Sequence, residues 1–143
     1  MNHTLEVKKS IKINAPISIV WEALTTPSIM AKYLYGTKTT TDWKVGSSIT
    51  FEGEYEGKTY KDGGTIKKFD KPHLLSYSYW SGFSGLEKIE ENHSEVNCIL
   101  EEEKDGTTLT WHQIGYPDEQ RRKHSEDGMK DYLEKIKSVV EAI

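Results

Sequence analysis

Apolar residues recur at helical spacing toward the end of the chain, from about Glu119 to Ile143. Intervals of four, three, four and three residues separate Met129, Leu133, Ile136, Val140 and Ile143. Such intervals align side chains along one face of a helix. The pattern therefore predicts one long amphipathic helix, whose apolar face needs a large apolar surface to pack against.

Between Thr37 and Gln113 the chain is rich in Tyr, Trp, Phe and Thr and alternates with the period of strands. The alternation predicts six strands, at about Lys38–Trp43, Ser48–Glu56, Lys58–Phe69, Leu74–Trp80, Glu95–Glu102 and Thr107–Ile114. The Gly63-Gly64 pair predicts a bulge or a sharp bend. Ser81–Ser94 has no clear period, which indicates a loop over the mouth of the sheet.

The start of the chain predicts a further strand, Leu5–Ile13, and two short helices. Asn14-Ala15-Pro16 indicates a helix start with Asn14 as its cap, and this helix extends to about Leu24. Thr26-Pro27 repeats the signal for a second helix, to about Leu34. The whole order predicts one α+β domain over residues 1–143. A curved antiparallel sheet carries two short helices after its first strand, and the long C-terminal helix crosses its concave face.

Composition and charge narrow the function classes. The chain has 143 residues and a formal net charge of −4, which argues against binding nucleic acid through its phosphates. No apolar run approaches the roughly 20 residues of a membrane span, and no basic region followed by an apolar core indicates a signal peptide. The single cysteine, Cys98, excludes an intrachain disulfide, and we expect a cytoplasmic protein.

Several segments in a fixed order resemble those of a known superfamily: Ile13–Pro16, Val20–Thr25, Trp43–Ser47, Lys71–Trp80, Thr107–Trp111, Gly115–Glu119 and His124–Leu133. The chain is similar to the SRPBCC (START/Bet v 1-like) superfamily, in the branch related to the activator of a heat-shock-protein ATPase. This resemblance implies a helix-grip fold, often with a hydrophobic ligand cavity. Family members include lipid carriers, hormone receptors, cyclases and co-chaperone domains. The family commonly has Trp after the Gly of the last helix, where this chain has Met129, which keeps an apolar wall.

Strand alternation also predicts which side chains face a cavity. Trp111 and Gln113 would point inward, because Thr108, Thr110 and His112 resemble a solvent face. For Leu74–Trp80 either Leu75, Tyr77 and Tyr79 or Ser76, Ser78 and Trp80 could be inward, and we favour the Tyr set. The predicted ligand-binding residues are Trp21, Tyr33, Phe51, Tyr55, Tyr77, Tyr79, Trp111, Gln113, Met129 and Leu133. The alternative is that these aromatic residues, together with others such as Phe83, form an ordinary core.

Catalytic and metal-binding signals are weak. No nucleophile motif and no histidine pair at ligand spacing occurs, so we predict no catalytic residue, no metal and no cofactor. His112 and His124 are expected to be solvated, and Cys98 to be a buried, unreactive thiol. Glu101-Glu102-Glu103 reads as a solvated sheet edge. Glu54, Asp62 or His112 could act inside a cavity only if the predicted strand faces were reversed.

Three functions fit this sequence. The favoured one is non-enzymatic binding of a small hydrophobic or amphipathic molecule between the sheet and the last helix. The second is a co-chaperone-like or other protein-interaction domain, with a chaperone or another protein as partner. The third is an enzyme of cyclase or hydrolase type. A shifted pKa inside the cavity would favour the third, and an exposed apolar patch the second.

Overall fold

The computed structural model describes residues 4–82 and 84–143. The predicted aromatic residue Phe83 lies outside the described residues. So do residues 1–3, on which the expectation about a signal peptide partly rests. The described chain confirms the predicted α+β architecture: one curved antiparallel sheet of seven strands, two short helices after the first strand, and a long helix at the C-terminal end.

The strands differ from their predicted bounds by one or two residues. They are β1 (Glu6–Ile13), β2 (Lys38–Thr41), β3 (Ser48–Tyr55), β4 (Lys58–Asp70), β5 (Leu74–Tyr79), β6 (Ser94–Glu103) and β7 (Gly106–Ile114). Their order across the sheet is β1-β7-β6-β5-β4-β3-β2. Successive strands from β2 to β7 are therefore neighbours, while β1 joins β7 and forms the opposite edge from β2. The register aligns Val7 with Gln113, and Gln113 with Val96.

Both short helices follow β1, as α1 (Ile17–Thr25) and α2 (Pro27–Tyr33). The prediction that Asn14 caps α1 was wrong: Pro16 occupies the cap position, and no side chain caps the helix. The backbone N–H of Asn14 instead donates to the Glu141 carboxylate at 2.8 Å. α1 buries Val20, Trp21, Ala23 and Leu24. It contacts α2, β6, β7 and the long helix, and so closes one end of the sheet.

The long helix, α3 (Glu119–Glu141), begins at Asp118, whose side chain accepts from the backbone N–H of Arg121 at 2.8 Å. That hydrogen bond lowers the pKa of Asp118. The helix buries Met129, Leu133, Ile136 and Val140, as its apolar spacing predicts. Ile143 departs from the prediction, because it lies beyond the helix end and is 63% exposed.

The Gly63-Gly64 pair plays a different part from the predicted bulge. The register irregularity of β4 against β5 lies between Ile66 and Lys68. At Gly64 a Cβ would lie 1.9 Å from the Ser78 carbonyl oxygen, and at Gly63 a Cβ would lie 2.3 Å from that of Ile49. The glycines therefore permit a close approach of three strands at this point.

The inner face of the sheet has the predicted phase. Leu75, Tyr77 and Tyr79 face inward on β5, as favoured, although Ser76 on the other face is also buried and donates to Asn97 at 2.6 Å. Thr110 was predicted to face solvent, but it is only 9% exposed and its hydroxyl lies 2.8 Å from that of Ser10. Thr110 thus packs against the neighbouring strand β1 on the outer face of the sheet.

Two exposed segments also differ in detail from their predictions. Glu101-Glu102-Glu103 are solvated but pair with β7, so they end an inner strand rather than form a sheet edge. The predicted loop after β5 contains one turn of 3-10 helix, Glu90–Asn92. Within the described part of the chain, no helix is long and apolar enough to cross a membrane.

Candidate functional site: a cavity between the sheet and α3

A cavity of about 1070 Å³ lies between the inner face of the sheet and residues 124–132 of α3. Its wall combines strands β3 to β7 with α2 and α3. Eight of the ten predicted ligand-binding residues line it: Tyr33, Phe51, Tyr55, Tyr77, Tyr79, Trp111, Gln113 and Met129. Their role in binding a ligand stays a prediction, but the fold does bring them together around one space.

The other two predicted residues, Trp21 and Leu133, lie elsewhere. Trp21 is 1% exposed and packs edge-to-face on Phe69, with ring centroids 5.2 Å apart. Leu133 is 3% exposed and belongs to the same apolar core. Both share a helix face with cavity residues, yet neither lines the cavity. Helical spacing predicts which face of a helix a side chain lies on, but not whether that part of the face meets the cavity or the packed core.

Aromatic rings form two connected parts of the wall. On the strand side, Phe51 lies 5.8 Å from Tyr77 and 5.9 Å from Tyr79 between ring centroids. On the helix side, Tyr132 meets Trp111 edge-to-face at 5.0 Å and Tyr33 at 6.1 Å. Edge-to-face contacts hold rings in defined orientations, so the wall is shaped before any ligand arrives.

Burial sets the protonation state of the wall. It raises the pKa of Tyr33, Tyr77, Tyr79 and Tyr132, because a phenolate would lose its hydration there. These hydroxyls are therefore neutral hydrogen-bonding groups at neutral pH. The Tyr33 hydroxyl already has a hydrogen-bond acceptor within the protein, because it donates to the Ala23 carbonyl at 2.9 Å. Burial also raises the pKa of the Cys98 thiol, which keeps this cavity residue in its unreactive form.

Gln113 supplies the polar group that the alternation predicts. Its amide oxygen accepts from the Trp111 indole at 3.3 Å, and its amide nitrogen donates to the Ser94 hydroxyl at 2.7 Å. These two bonds fix which way the amide points and satisfy part of a buried polar group. Gln113 is thus a positioned polar contact on a mainly apolar wall.

Asp62 is a buried, charged cavity residue that the predicted ligand-binding set does not include. It was considered only for the case that the strand faces were reversed, yet it lines the cavity and is 8% exposed. Its carboxylate accepts from the Tyr79 hydroxyl at 2.8 Å and from the Gly82 N–H at 2.6 Å. Counting back by twos from buried Ile66 would have found it, because Ile66 and Asp62 share a strand face.

The mouth of the cavity carries charged and exposed groups. Tyr55 is 61% exposed and Tyr35 85% exposed, and Glu54, Glu56 and Lys58 lie beside them. His124, on α3, also borders the cavity and is exposed. His112 lies on the outer face of the sheet, with its Nε2 2.6 Å from the Glu6 carboxylate. In residues 4–82 and 84–143, no three His, Cys, Asp or Glu side chains gather as metal ligands would.

Comparisons with solved structures agree with this architecture. A solution structure from Cytophaga hutchinsonii is 39% identical, with a TM-score of 0.83, over 99% of this chain and 97% of that one. A crystal structure from Mesorhizobium loti is 21% identical, with a TM-score of 0.77, over 96% and 97%. The Aha1 dimer from Colwellia psychrerythraea is 15% identical, with a TM-score of 0.73, over 94% and 95%. The last two show likeness of fold alone.

Among curated proteins, none matches this chain. The family model described as "Activator of Hsp90 ATPase homolog 1-like protein" matches residues 14–141, from the turn after β1 to the last residue of α3. That span includes both short helices, the whole cavity wall and the long helix. The chain therefore belongs to the family of Activator of Hsp90 ATPase homolog 1-like proteins, within the SRPBCC-type fold.

Proposed function

We propose that this protein binds a small, largely apolar ligand in the cavity between the sheet and α3, without transforming it chemically. The cavity itself carries the proposal. Protein interiors are close-packed and contain few voids larger than a water molecule. A space of about 1070 Å³, lined mainly by aromatic and apolar side chains, has the size and chemistry of a small-molecule site.

Apolar and polar residues of the wall would contribute to binding in different ways. Phe51, Tyr77 and Met129 would contribute apolar contact, and burial of a ligand's hydrocarbon supplies most of the free energy. Gln113, oriented by Trp111 and Ser94, would direct a polar end of the ligand. We place the protein in the cytoplasm, because Cys98 is a free, buried thiol.

A blocking variant tests the proposal directly. The probe is N-phenyl-1-naphthylamine, an uncharged dye whose fluorescence rises in apolar surroundings. Gly128 lines the cavity, and nothing lies within 4 Å of a Cβ built there. Gly128→Phe should therefore fill part of the cavity and weaken dye binding about tenfold or more. Lys130→Phe, at an exposed position of the same helix, is the matched control and should bind as the wild type does.

Two further readouts strengthen this test. Dye binding should quench or shift the emission of Trp111, so wild type and Trp111→Phe should respond differently. Native mass spectrometry of protein purified from its own host should reveal a retained small molecule. If the dye and a panel of amphiphiles change neither fluorescence nor melting temperature in the wild type, the proposal fails.

A protein partner is the second candidate, and one surface feature favours it. Tyr35, with a left-handed backbone (φ 52°), projects 85% exposed beside the mouth. The family description names the Hsp90 ATPase, so a chaperone of that kind is the partner to try first. We would measure its ATPase rate with and without this protein. Stimulation that Tyr35→Ser abolishes would support the candidate, and an unchanged rate would remove it.

A further inference from the structure

A buried carboxylate without a cationic partner lies in the cavity wall. Asp62 is 8% exposed, and both its oxygens act as acceptors, one from Tyr79 and one from the backbone of Gly82. No salt bridge to Asp62 occurs within the described ranges of the chain. Burying a charge is costly unless it is paired, so Asp62 is a site where a cation would be stabilised.

The Asp62 carboxylate retains the capacity to bind a cation. Its two oxygens offer about four acceptor positions, and Tyr79 and Gly82 use one each. The two donors also fix its orientation. Because burial raises the pKa of Tyr79, that side chain remains a neutral phenol and does not neutralise the charge as a cation would. Counting the donors among the described residues, Asp62 is thus held in place with acceptor positions left over beside the cavity.

Aromatic rings stand next to this carboxylate. Asp62 pairs with Phe51 in the register of β3 and β4, and Phe51 contacts Tyr77 and Tyr79 at 5.8 and 5.9 Å. Ring faces attract ammonium groups through their quadrupole, most strongly where water is excluded. A carboxylate beside a cluster of rings therefore combines charge, hydrogen-bond and cation–π recognition of an amine. Glu54 and Glu56, at the mouth of the cavity, also favour a positively charged ligand, whereas Lys58 beside them opposes it.

The geometry points to an amphiphile with an ammonium head as the preferred ligand class, with the head at Asp62 and the hydrocarbon along the aromatic wall. This inference rests on the proposed function, because it assumes that the cavity binds a ligand at all. Asp62 acts as a specificity-determining residue, and an amphiphile with a carboxylate head would meet repulsion at the same place.

The test compares three probes with the same hydrocarbon chain: decylammonium, decanol and decanoate, each below its micelle-forming concentration at pH 7. Competition with the dye gives their affinities. We expect the wild type to bind decylammonium about tenfold or more tightly than decanoate, since a charge-assisted hydrogen bond has that magnitude. Asp62→Asn should lose about tenfold for decylammonium and change decanol binding little. Glu52→Gln, which removes an exposed carboxylate of β3 that does not line the cavity, is the matched control and should keep the preference.

The wild type also reports on the site itself. The Gly82 N–H donates to Asp62, so its amide resonance should shift when decylammonium binds and shift less with decanol. This measurement holds even if Asp62→Asn does not fold. If Asp62→Asn still prefers decylammonium, or if decylammonium binding does not shift the Gly82 resonance, the preference comes from general attraction to an acidic surface. Either outcome would overturn the inference. Equal binding of all three probes would overturn it too but leave the proposed function standing. No binding of any probe would refute the proposed function and the inference together.

Discussion

The two halves of α3 are held to the protein in different ways. Of its buried residues, Leu133, Ile136 and Val140 lie in the second half and belong to the apolar core, while Met129 lies near the middle, where it also lines the cavity. Before Met129 the helix buries no side chain, and it borders the cavity with His124, Ser125 and Gly128. Its side-chain contacts to other segments include two hydrogen bonds: the Arg121 guanidinium donates to the Ser84 carbonyl, and the Ser125 hydroxyl lies 2.6 Å from that of Tyr116.

This difference indicates where the protein can adapt. A few partly exposed hydrogen bonds contribute little net stability, whereas buried apolar side chains contribute most of it. The part of α3 after Met129 is therefore a structural anchor, and the part before it is a cavity wall with little apolar packing to hold it. The sequence does not reveal this division, because apolar residues of α3 have the same helical spacing over the cavity and over the core.

The largest effect should come from charging the anchor. Leu133→Asp places a carboxylate at a position that is 3% exposed, and we expect a loss of about 3–5 kcal/mol in the free energy of unfolding. Glu134→Asp, at the neighbouring exposed position, is the control and should stay within about 0.5 kcal/mol of the wild type. Urea denaturation measures both. Similar stabilities for the two variants would contradict the facing of the whole helix.

Truncating one apolar residue in each environment would sharpen the comparison. Leu133→Ala should cost about 3 kcal/mol, because it opens a void inside packed core. Met129→Ala should cost about 1–2 kcal/mol, because Met129 already borders the cavity and has fewer contacts to lose. The same denaturation experiment ranks them. A larger loss at Met129 would show that the cavity wall is as tightly packed as the anchor.

A smaller change of opposite sign is expected at Gly128. This glycine interrupts the helix interior, has no left-handed backbone requirement, and leaves its Cβ position clear by 4 Å. Gly128→Ala should therefore stabilise the protein by about 0.5–1 kcal/mol through helix propensity and reduced backbone entropy of the unfolded chain. Thermal melting would detect the rise. A fall would indicate that the first half of α3 approaches the sheet more closely than its contacts show.

The smallest effect concerns the end of the anchor and depends on pH. Hydrogen bonds from Lys137 and from the backbone of Asn14 lower the pKa of Glu141 below its ordinary value of 4.5. A lowered folded-state pKa means that the carboxylate stabilises the fold above pH 4.5 and that this contribution disappears as the pH falls through the folded-state pKa. Glu141→Gln should thus melt slightly lower than wild type at pH 7, and the difference should shrink as the pH falls below 4.5. A constant difference across that range would exclude the ionic origin, and Glu134→Gln controls for general charge effects.

The sequence allowed the fold to be predicted in detail, because periodicity reports directly on burial. The spacing from Met129 to Val140 and the alternation around Trp111 each had one consistent interpretation. On β5 the alternation left two, since Ser76 and Tyr77 are both buried, on opposite faces. There the larger apolar area of the Tyr face decided the phase.

The site was less predictable for two physical reasons. Asp62 escaped notice because an acidic residue on an alternating strand is usually solvent-facing, and only long-range partners such as Tyr79 make its burial tolerable. Trp21 and Leu133 were included because packed core and cavity wall require the same residue types. Distinguishing the two needs the distance between α3 and the sheet, which no local pattern encodes.

An open sheet also has consequences for how this protein behaves at high concentration. Among the described residues, β1 and β2 each have one neighbouring strand, so part of the backbone of each lies outside the sheet's hydrogen bonds, although Lys137 donates to the Lys12 carbonyl. β2 has four residues, so it is too short to pair extensively with a strand of another molecule. The longer β1 carries exposed Lys8, Lys9 and Lys12. Lysines on an edge strand oppose strand addition by like-charge repulsion and by their hydration. Acetylation of those three side chains would remove the repulsion, and β1 would then become the surface at which copies of the chain begin to aggregate.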